Sequence, residues 1–244
     1  MTASYDKPGW EPQPGHRARP RGARTRHGTL SGLVLALAIL LSPGRAEGGP
    51  RWALEAHLGT AWNLPLPLVI RQRGHPDLAF PARWRTRALE RPLYYVARVA
   101  RWEGDRAWAL DLTHHKLYLQ NRPPEVGDFA ISHGYNLLTV QRLFRENGVR
   151  TGAGAGLVAA HPESEIRGLR LDEREGLLGT GYYLSGPTAG ALGSVTGAPG
   201  GGVYALAEIR LTLSLARVPV AEGSARVPNL ALHFTTGIGW ESDR

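Results

Sequence analysis

Apolar residues along most of this chain recur at every second position, the period of a β-strand whose two faces differ. In RWALEAHLGTAWN the even positions Trp52, Leu54, Ala56, Leu58 and Trp62 are apolar, while the odd ones include Glu55 and His57. In YALAEIRLTLSLARV, Ile209, Leu211, Leu213 and Leu215 alternate with Glu208, Arg210, Thr212 and Ser214. In NLALHFTTGIGW, Leu230, Leu232, Phe234, Ile238 and Trp240 alternate with Ala231, His233, Thr235 and Gly237. Helical periodicity is hard to find. The pattern predicts eight strands, at 52–63, 92–102, 106–119, 128–144, 149–160, 180–196, 203–218 and 229–240.

The connections carry further information. The first (64–91), third (120–127) and fifth (161–179) each exceed the connection that follows, the seventh (219–228) is again longer, and the RENG turn (145–148) is tight. An even number of antiparallel strands joined by alternating long and short turns is the plan of an outer-membrane barrel. Alternation alone leaves the faces unassigned. In a soluble sandwich the apolar face points inward; in a membrane barrel it meets lipid and the polar face fills the lumen.

The leader helps to choose. A basic run, HRARPRGARTRH, precedes LSGLVLALAILL and then SPGRA, the order of a secretory signal peptide. Twelve apolar residues fall short of the roughly 20 that a spanning helix needs. Residues 1–46 are therefore expected to be a signal peptide with a long basic n-region, and 47–244 the barrel domain. Six aromatic residues, Trp52, Trp62, Tyr95, Trp108, Tyr135 and Trp240, fall near strand ends, as girdle residues would. The expected fold is all-β: an eight-stranded antiparallel up-and-down transmembrane β-barrel in the outer membrane. A periplasmic sandwich or lipocalin-like binding barrel is the soluble alternative.

Composition narrows the picture. Zero Cys among 244 residues excludes disulfide scaffolds and thiolate metal sites. The net charge of +8 suggests nucleic acid at first sight. The leader, however, holds 7 of the 29 basic residues and 2 of the 21 acidic ones, leaving a nearly balanced 22 and 19. Nucleic acid is not an expected partner.

By parity the lumen should receive Glu55, His57, Arg98, Asp111, Thr113, His115, Ser132, Asn136, Glu208, Arg210, Thr212, Ser214, His233 and Thr235. An eight-stranded barrel is just wide enough for side chains to fill, and buried charges must pair. A packed network rather than a pore is expected, centred on Glu55, His57, Arg98, Asp111, His115, Asn136, Glu208, Arg210 and His233.

The stretch ISHGYN looks like a hydrolase site, yet neighbours on a strand point to opposite faces, so Ser132 and His133 are not expected to form a nucleophile–base pair, and any partner must come from a neighbouring strand. Placing the preceding turn between Pro123 and Pro124 would set His115 against Ser132 and Asp111 against Asn136 inside, with His114 against His133 outside. The catalytic candidates are thus His133 and His114 on the lipid side, and Ser132, His115 and Asp111 as an internal triad that no acyl substrate would reach. A His pair falls short of the three or four ligands of a metal site, and no metal or cofactor is expected. The first long connection carries Arg71, Arg73, Arg83, Arg85, Arg87 and Arg91. Arg suits bidentate phosphate contacts, so lipopolysaccharide binding is expected there.

The leader, the alternating strands and the terminal NLALHFTTGIGW resemble the small eight-stranded outer-membrane barrels of Gram-negative bacteria, over about residues 50–240. ESDR follows Trp240, where such barrels commonly stop at the aromatic residue. That resemblance implies outer-membrane lipids and lipopolysaccharide as partners, the barrel-assembly machinery during biogenesis, and a structural, adhesive or lipopolysaccharide-binding role. S-H-G-Y-N also resembles the S-H-x-S-N stretch of lipid A deacylases, matching at Ser132, His133 and Asn136 but placing Tyr135 at the nucleophile position. A lipid A-modifying enzyme is the alternative this implies.

Overall fold

The computed structural model describes residues 49–171, 176–197 and 202–243. The signal-peptide stretch lies outside the described residues.

Eight long strands pair in sequence and close on themselves. They are β1 (Arg51–Leu64), β5 (Tyr95–Glu103), β6 (Arg106–Leu119), β7 (Val126–Glu146), β8 (Val149–Ala160), β11 (Tyr183–Thr196), β12 (Gly202–Val220) and β13 (Gly223–Glu241). Each pairs antiparallel with the next, and β13 returns to β1 from Ala53↔Glu241 to Leu64↔Leu230.

The first long connection is not loop throughout: it folds into β2 (Leu66–Gln72), β3 (Leu78–Ala82) and β4 (Trp84–Arg85), with β2 pairing against the start of β13. The fifth contributes β9 (Glu163–Ile166) and β10 (Leu169–Arg170). The expected seventh loop, 219–228, is corrected: β12 and β13 run on through it and meet in a tight turn at Ala221 and Glu222. Alternation persists there (Val218, Val220, Ala225 and Val227 are buried), so these residues continue the ladder. The break in period read as a loop is a change of phase.

That phase change organises the molecule. At 19 residues, β12 reaches about 60 Å at strand rise, whereas a membrane-crossing strand needs about 9–11 residues. Along its lower part the outward residues are Val203, Ile209, Leu211, Leu213 and Leu215, and the inward ones Glu208, Arg210, Thr212 and Ser214. Beyond Leu215 the same parity carries the opposite chemistry: Arg217 points out, while Ala216, Val218 and Val220 point in. In β6, Asp111 and Thr113 are inside below, and Leu117 and Leu119 are inside above. The lower barrel is therefore apolar outside and polar inside. The upper barrel holds a conventional apolar core with Leu68, Ile70, Trp84, Phe129, Ile131 and Leu137. Large side chains stand open on the lower exterior, Leu58 at 56%, Ile209 at 54% and Ile238 at 64% exposure. In water such a belt far exceeds the apolar patches of soluble monomers; against lipid it is the required surface. The fold is an eight-stranded, antiparallel, up-and-down transmembrane β-barrel.

Charge fills the lower lumen. Arg98 reaches Glu55 at 2.8 Å, Asp111 at 3.0 Å and Glu208 at 2.9 Å. Arg210 reaches Asp111 and Glu208, each at 2.7 Å. Arg150, absent from the expected set, pairs with Glu55, which also accepts the Tyr204 hydroxyl at 2.7 Å. Three carboxylates thus face three guanidiniums. A pore would need water where these groups bond one another. His57 bonds Thr235 at 3.2 Å and Glu55 at 3.3 Å, and His233 bonds Tyr94 and Thr212, each at 2.8 Å. Gly152, Gly154 and Gly156 on β8 lie close against β7, where an added Cβ on Gly154 would come within 2.7 Å of the Gln141 side chain. Below, Glu241 turns inward to Arg51 and Arg145, each at 3.0 Å, and Ser242 bonds Trp52.

Candidate functional site at the polarity boundary

The paired register of β6 and β7 overturns part of the expected geometry. His115 faces Tyr135, Asp111 faces Thr139, and His114 faces Asn136. In β7 the inward residues are therefore Tyr135, Leu137, Thr139, Gln141 and Leu143, and Asn136 lies on the outside. Asn136 leaves the lumen network, and Tyr135 leaves the girdle: it is fully buried, its hydroxyl bonded to the Val227 carbonyl at 3.2 Å. A one-residue slip exchanges every side chain between faces. Asp111, His115 and Ser132 do not assemble either. Asp111 is bound to Arg98 and Arg210, His115 bonds Asn63 at 2.9 Å, and Ser132 stands on the other side of the wall.

The cause is a bulge. Between His115/Leu117 and Tyr135/Ile131 the register shifts, so Ser132, His133 and Gly134 span the space opposite Lys116. Gly134 has φ of +138°, a conformation L-residues avoid, and a Cβ there would lie 2.6 Å from the Asn136 side chain. Bulges re-aim side chains, and this one turns both Ser132 and His133 outward. The neighbouring strand breaks at the same level. β8 ends at Ala160, Pro162 has no N–H to give the ladder, and β9 resumes along Val126–Ala130 of β7. The His161 N–H bonds the Gly134 carbonyl at 3.0 Å, joining break to bulge.

This junction collects polar groups on the outer wall, at the level where the exterior changes from apolar to polar. His133 Nδ1 is 2.6 Å from Glu163 Oε1, and Ser132 donates to the same oxygen. Contrary to the expectation from a regular strand, the bulge also brings Ser132 Oγ within 3.1 Å of His133 Nδ1. The carboxylate and the hydroxyl both sit at Nδ1, leaving Nε2 directed away from them on a side chain 57% exposed. The buried His161 ring lies 5.0 Å from the His133 ring, tilted at 53° to it, and meets Tyr182 edge-on at 5.1 Å; the Tyr182 hydroxyl donates to the His133 carbonyl at 2.6 Å. Beside them His114 bonds Asn136 Oδ1 at 2.7 Å and stacks on Tyr95 at 4.9 Å. Lys116 is covered by the loop at Glu90, whose carbonyl accepts its ammonium at 2.6 Å.

A carboxylate-bound imidazole with a free second nitrogen can take a proton from an incoming nucleophile. Ser132 is not that nucleophile in this arrangement, because it lies on the nitrogen facing Glu163. His133, His161 and Glu163 also present ligand atoms that all lie within 4.8 Å of one another. Sequence reasoning found His133, His114 and Ser132 but passed over Glu163, His161 and Tyr182. The available signal was His-Pro-Glu directly after a strand, two polar residues flanking a ladder breaker. The six arginines Arg71, Arg73, Arg83, Arg85, Arg87 and Arg91 are all exposed, with Arg71 paired to Asp77 and Arg87 to Glu90.

No family model and no curated protein matches the chain. Among solved structures, the chain is similar to Ail, the attachment invasion locus protein of Yersinia pestis, at 10% identity and TM-score 0.37, covering 79% of this chain and 97% of that one. It is similar to Neisserial surface protein A at 12% identity and TM-score 0.38, covering 78% and 96%. OprG, an outer membrane protein of Pseudomonas aeruginosa, is similar at 8% identity and TM-score 0.42, covering 82% and 99%. The fold itself rests on the strand pairing described above.

Proposed function

We propose that this protein is an outer-membrane barrel that hydrolyses an acyl ester of an outer-leaflet lipid, with lipid A the candidate substrate and His133 the catalytic base. One observation carries the reading: His133 is held by Glu163 at 2.6 Å on the lipid-facing wall, where the exterior changes from apolar to polar. A bare structural wall there would call for apolar or girdle residues. With lipid covering the apolar exterior, an ester carbonyl would sit at this depth, between acyl chains and headgroup. His133 Nε2 would accept a proton from the attacking water, and Glu163 would stabilise the imidazolium that results, as a positioning residue. The exposed arginines of the first connection would hold the phosphates of the same lipid. The signal peptide at 1–46 and export to the outer membrane belong to this proposal.

The arginine rim also favours a second reading, a non-catalytic barrel that binds lipopolysaccharide. Mass spectrometry of lipid A from cells with and without the protein separates the two. The enzyme predicts a changed acyl pattern that His133→Ala abolishes and His75→Ala, in an exposed loop, leaves intact. Identical patterns would sink the hydrolase. A periplasmic binding barrel is opposed by the filled lumen and the apolar exterior, and recovery of the protein in the soluble periplasm would revive it.

A further inference from the structure

We propose that His133, His161 and Glu163 form a binding site for a divalent transition-metal cation, zinc by chemistry. Two imidazoles and a carboxylate are the protein ligands of one class of catalytic zinc site, whose fourth position is left to water. Two imidazoles also select zinc, copper or nickel over calcium and magnesium, which prefer oxygen ligands.

The placement is specific. In a tetrahedral site with bonds near 2.0–2.1 Å, ligand atoms stand roughly 3.3 Å apart. Here His133 Nδ1 and His161 Nδ1 lie 2.6 and 3.8 Å from Glu163 Oε1, bracketing that spacing. His161 Nδ1 is buried and has no hydrogen-bond partner. An orphaned buried nitrogen calls for an explanation, and a cation between it and Glu163 supplies one. Outer contacts of the kind that orient metal ligands are also present. Ser132 donates to the carboxylate, the Tyr182 hydroxyl holds the His133 backbone, and Tyr182 meets the His161 ring. The His133 and Glu163 side chains are 57% and 23% exposed, so water could reach the site to fill the fourth position. A cation here deepens the hydrolase reading, because a metal would make its bound water available as hydroxide at neutral pH; His133 Nδ1 and Glu163 would then serve as ligands, in place of the base and its positioning carboxylate.

The test uses the untagged full barrel in detergent, stripped with chelator and titrated calorimetrically with zinc chloride and, separately, calcium chloride. One zinc per chain is expected, with no calcium binding. His161→Ala and Glu163→Gln should each weaken zinc by more than the roughly 10–100-fold typical of an outer contact, and His75→Ala should not. Zinc-edge X-ray absorption on the loaded wild-type protein, which requires no variant, should report two imidazoles. Absence of stoichiometric binding, binding that survives His161→Ala in a folded barrel, or an oxygen-only zinc shell would overturn the site. Zinc binding without lipid hydrolysis would leave the site standing and sink the hydrolase; chelator-insensitive hydrolysis with no zinc bound would do the reverse.

Discussion

His133 Nδ1 and Glu163 Oε1 are 2.6 Å apart although 30 residues separate them, and they meet where two strand irregularities coincide. The bulge of β7 aims His133 outward, and the Pro162 break between β8 and β9 delivers Glu163 beside it. If Glu163 positions and polarises His133, replacing the carboxylate with an isosteric amide removes the charge but little volume. Glu163→Gln is expected to lower the rate of acyl release by about 10²-fold, within the range of general acid–base contributions. Kinetics on lipid A in mixed micelles would read it, with the urea midpoint of refolding expected to change little. An unchanged rate would remove Glu163 from the mechanism.

Gly134→Ala tests the bulge itself. The new Cβ would need φ of +138° and would approach the Asn136 amide to 2.6 Å. Strain of this kind costs about 1–3 kcal/mol, so the barrel should fold with a lowered urea midpoint. Activity should fall as well, because relief of the strain moves His133. Gly104→Ala, at a turn where nothing lies within 4 Å of the new Cβ, is the comparison for positive φ without crowding.

The lumen makes a separate demand. Arg98 touches three carboxylates, from β1, β6 and β12, and is 2% exposed. Arg98→Ala leaves Glu55, Asp111 and Glu208 facing two guanidiniums, and breaking a buried network by removing one partner costs about 3–5 kcal/mol. Reversible urea unfolding in detergent should show that loss. A change below about 1 kcal/mol would place the network in the class of weak surface pairs and refute its role in holding the strands.

Most of the barrel was legible because strand alternation is local. Ile209 to Leu215 and Leu230 to Trp240 declare their faces without reference to any partner. The lumen charges followed from the same parity, except for Arg150, where the surrounding glycines give no alternation to follow. The register of β7 was not legible in this way. It depends on how many residues the bulge consumes, and Gly134 can sit in a regular strand or in a bulge with equal local ease. That ambiguity moved Ser132, Asn136 and Tyr135 to the wrong faces. Glu163 and His161 escaped because their meaning is tertiary: in sequence they begin a long connection, and only pairing of β9 against β7 brings them to His133.

The phase change beyond Leu215 sets a position-dependent test of where the bilayer lies. Ile209 stands midway along the apolar outward run of β12, Leu215 ends it, and Arg217 is the first outward charge above. In a bilayer, Arg on the lipid face costs about 2–4 kcal/mol at the midplane and about 0–1 near the interface. Ile209→Arg should therefore destabilise the barrel in lipid vesicles by the larger amount, and Leu215→Arg by the smaller. Arg217→Leu should be close to neutral. A soluble barrel would show no such ranking, since Ile209 and Leu215 are both exposed, would both face water and would both accept Arg freely. Equal, negligible effects at Ile209 and Leu215 in vesicles would move the lipid boundary away from Leu215, and with it the depth argued for His133.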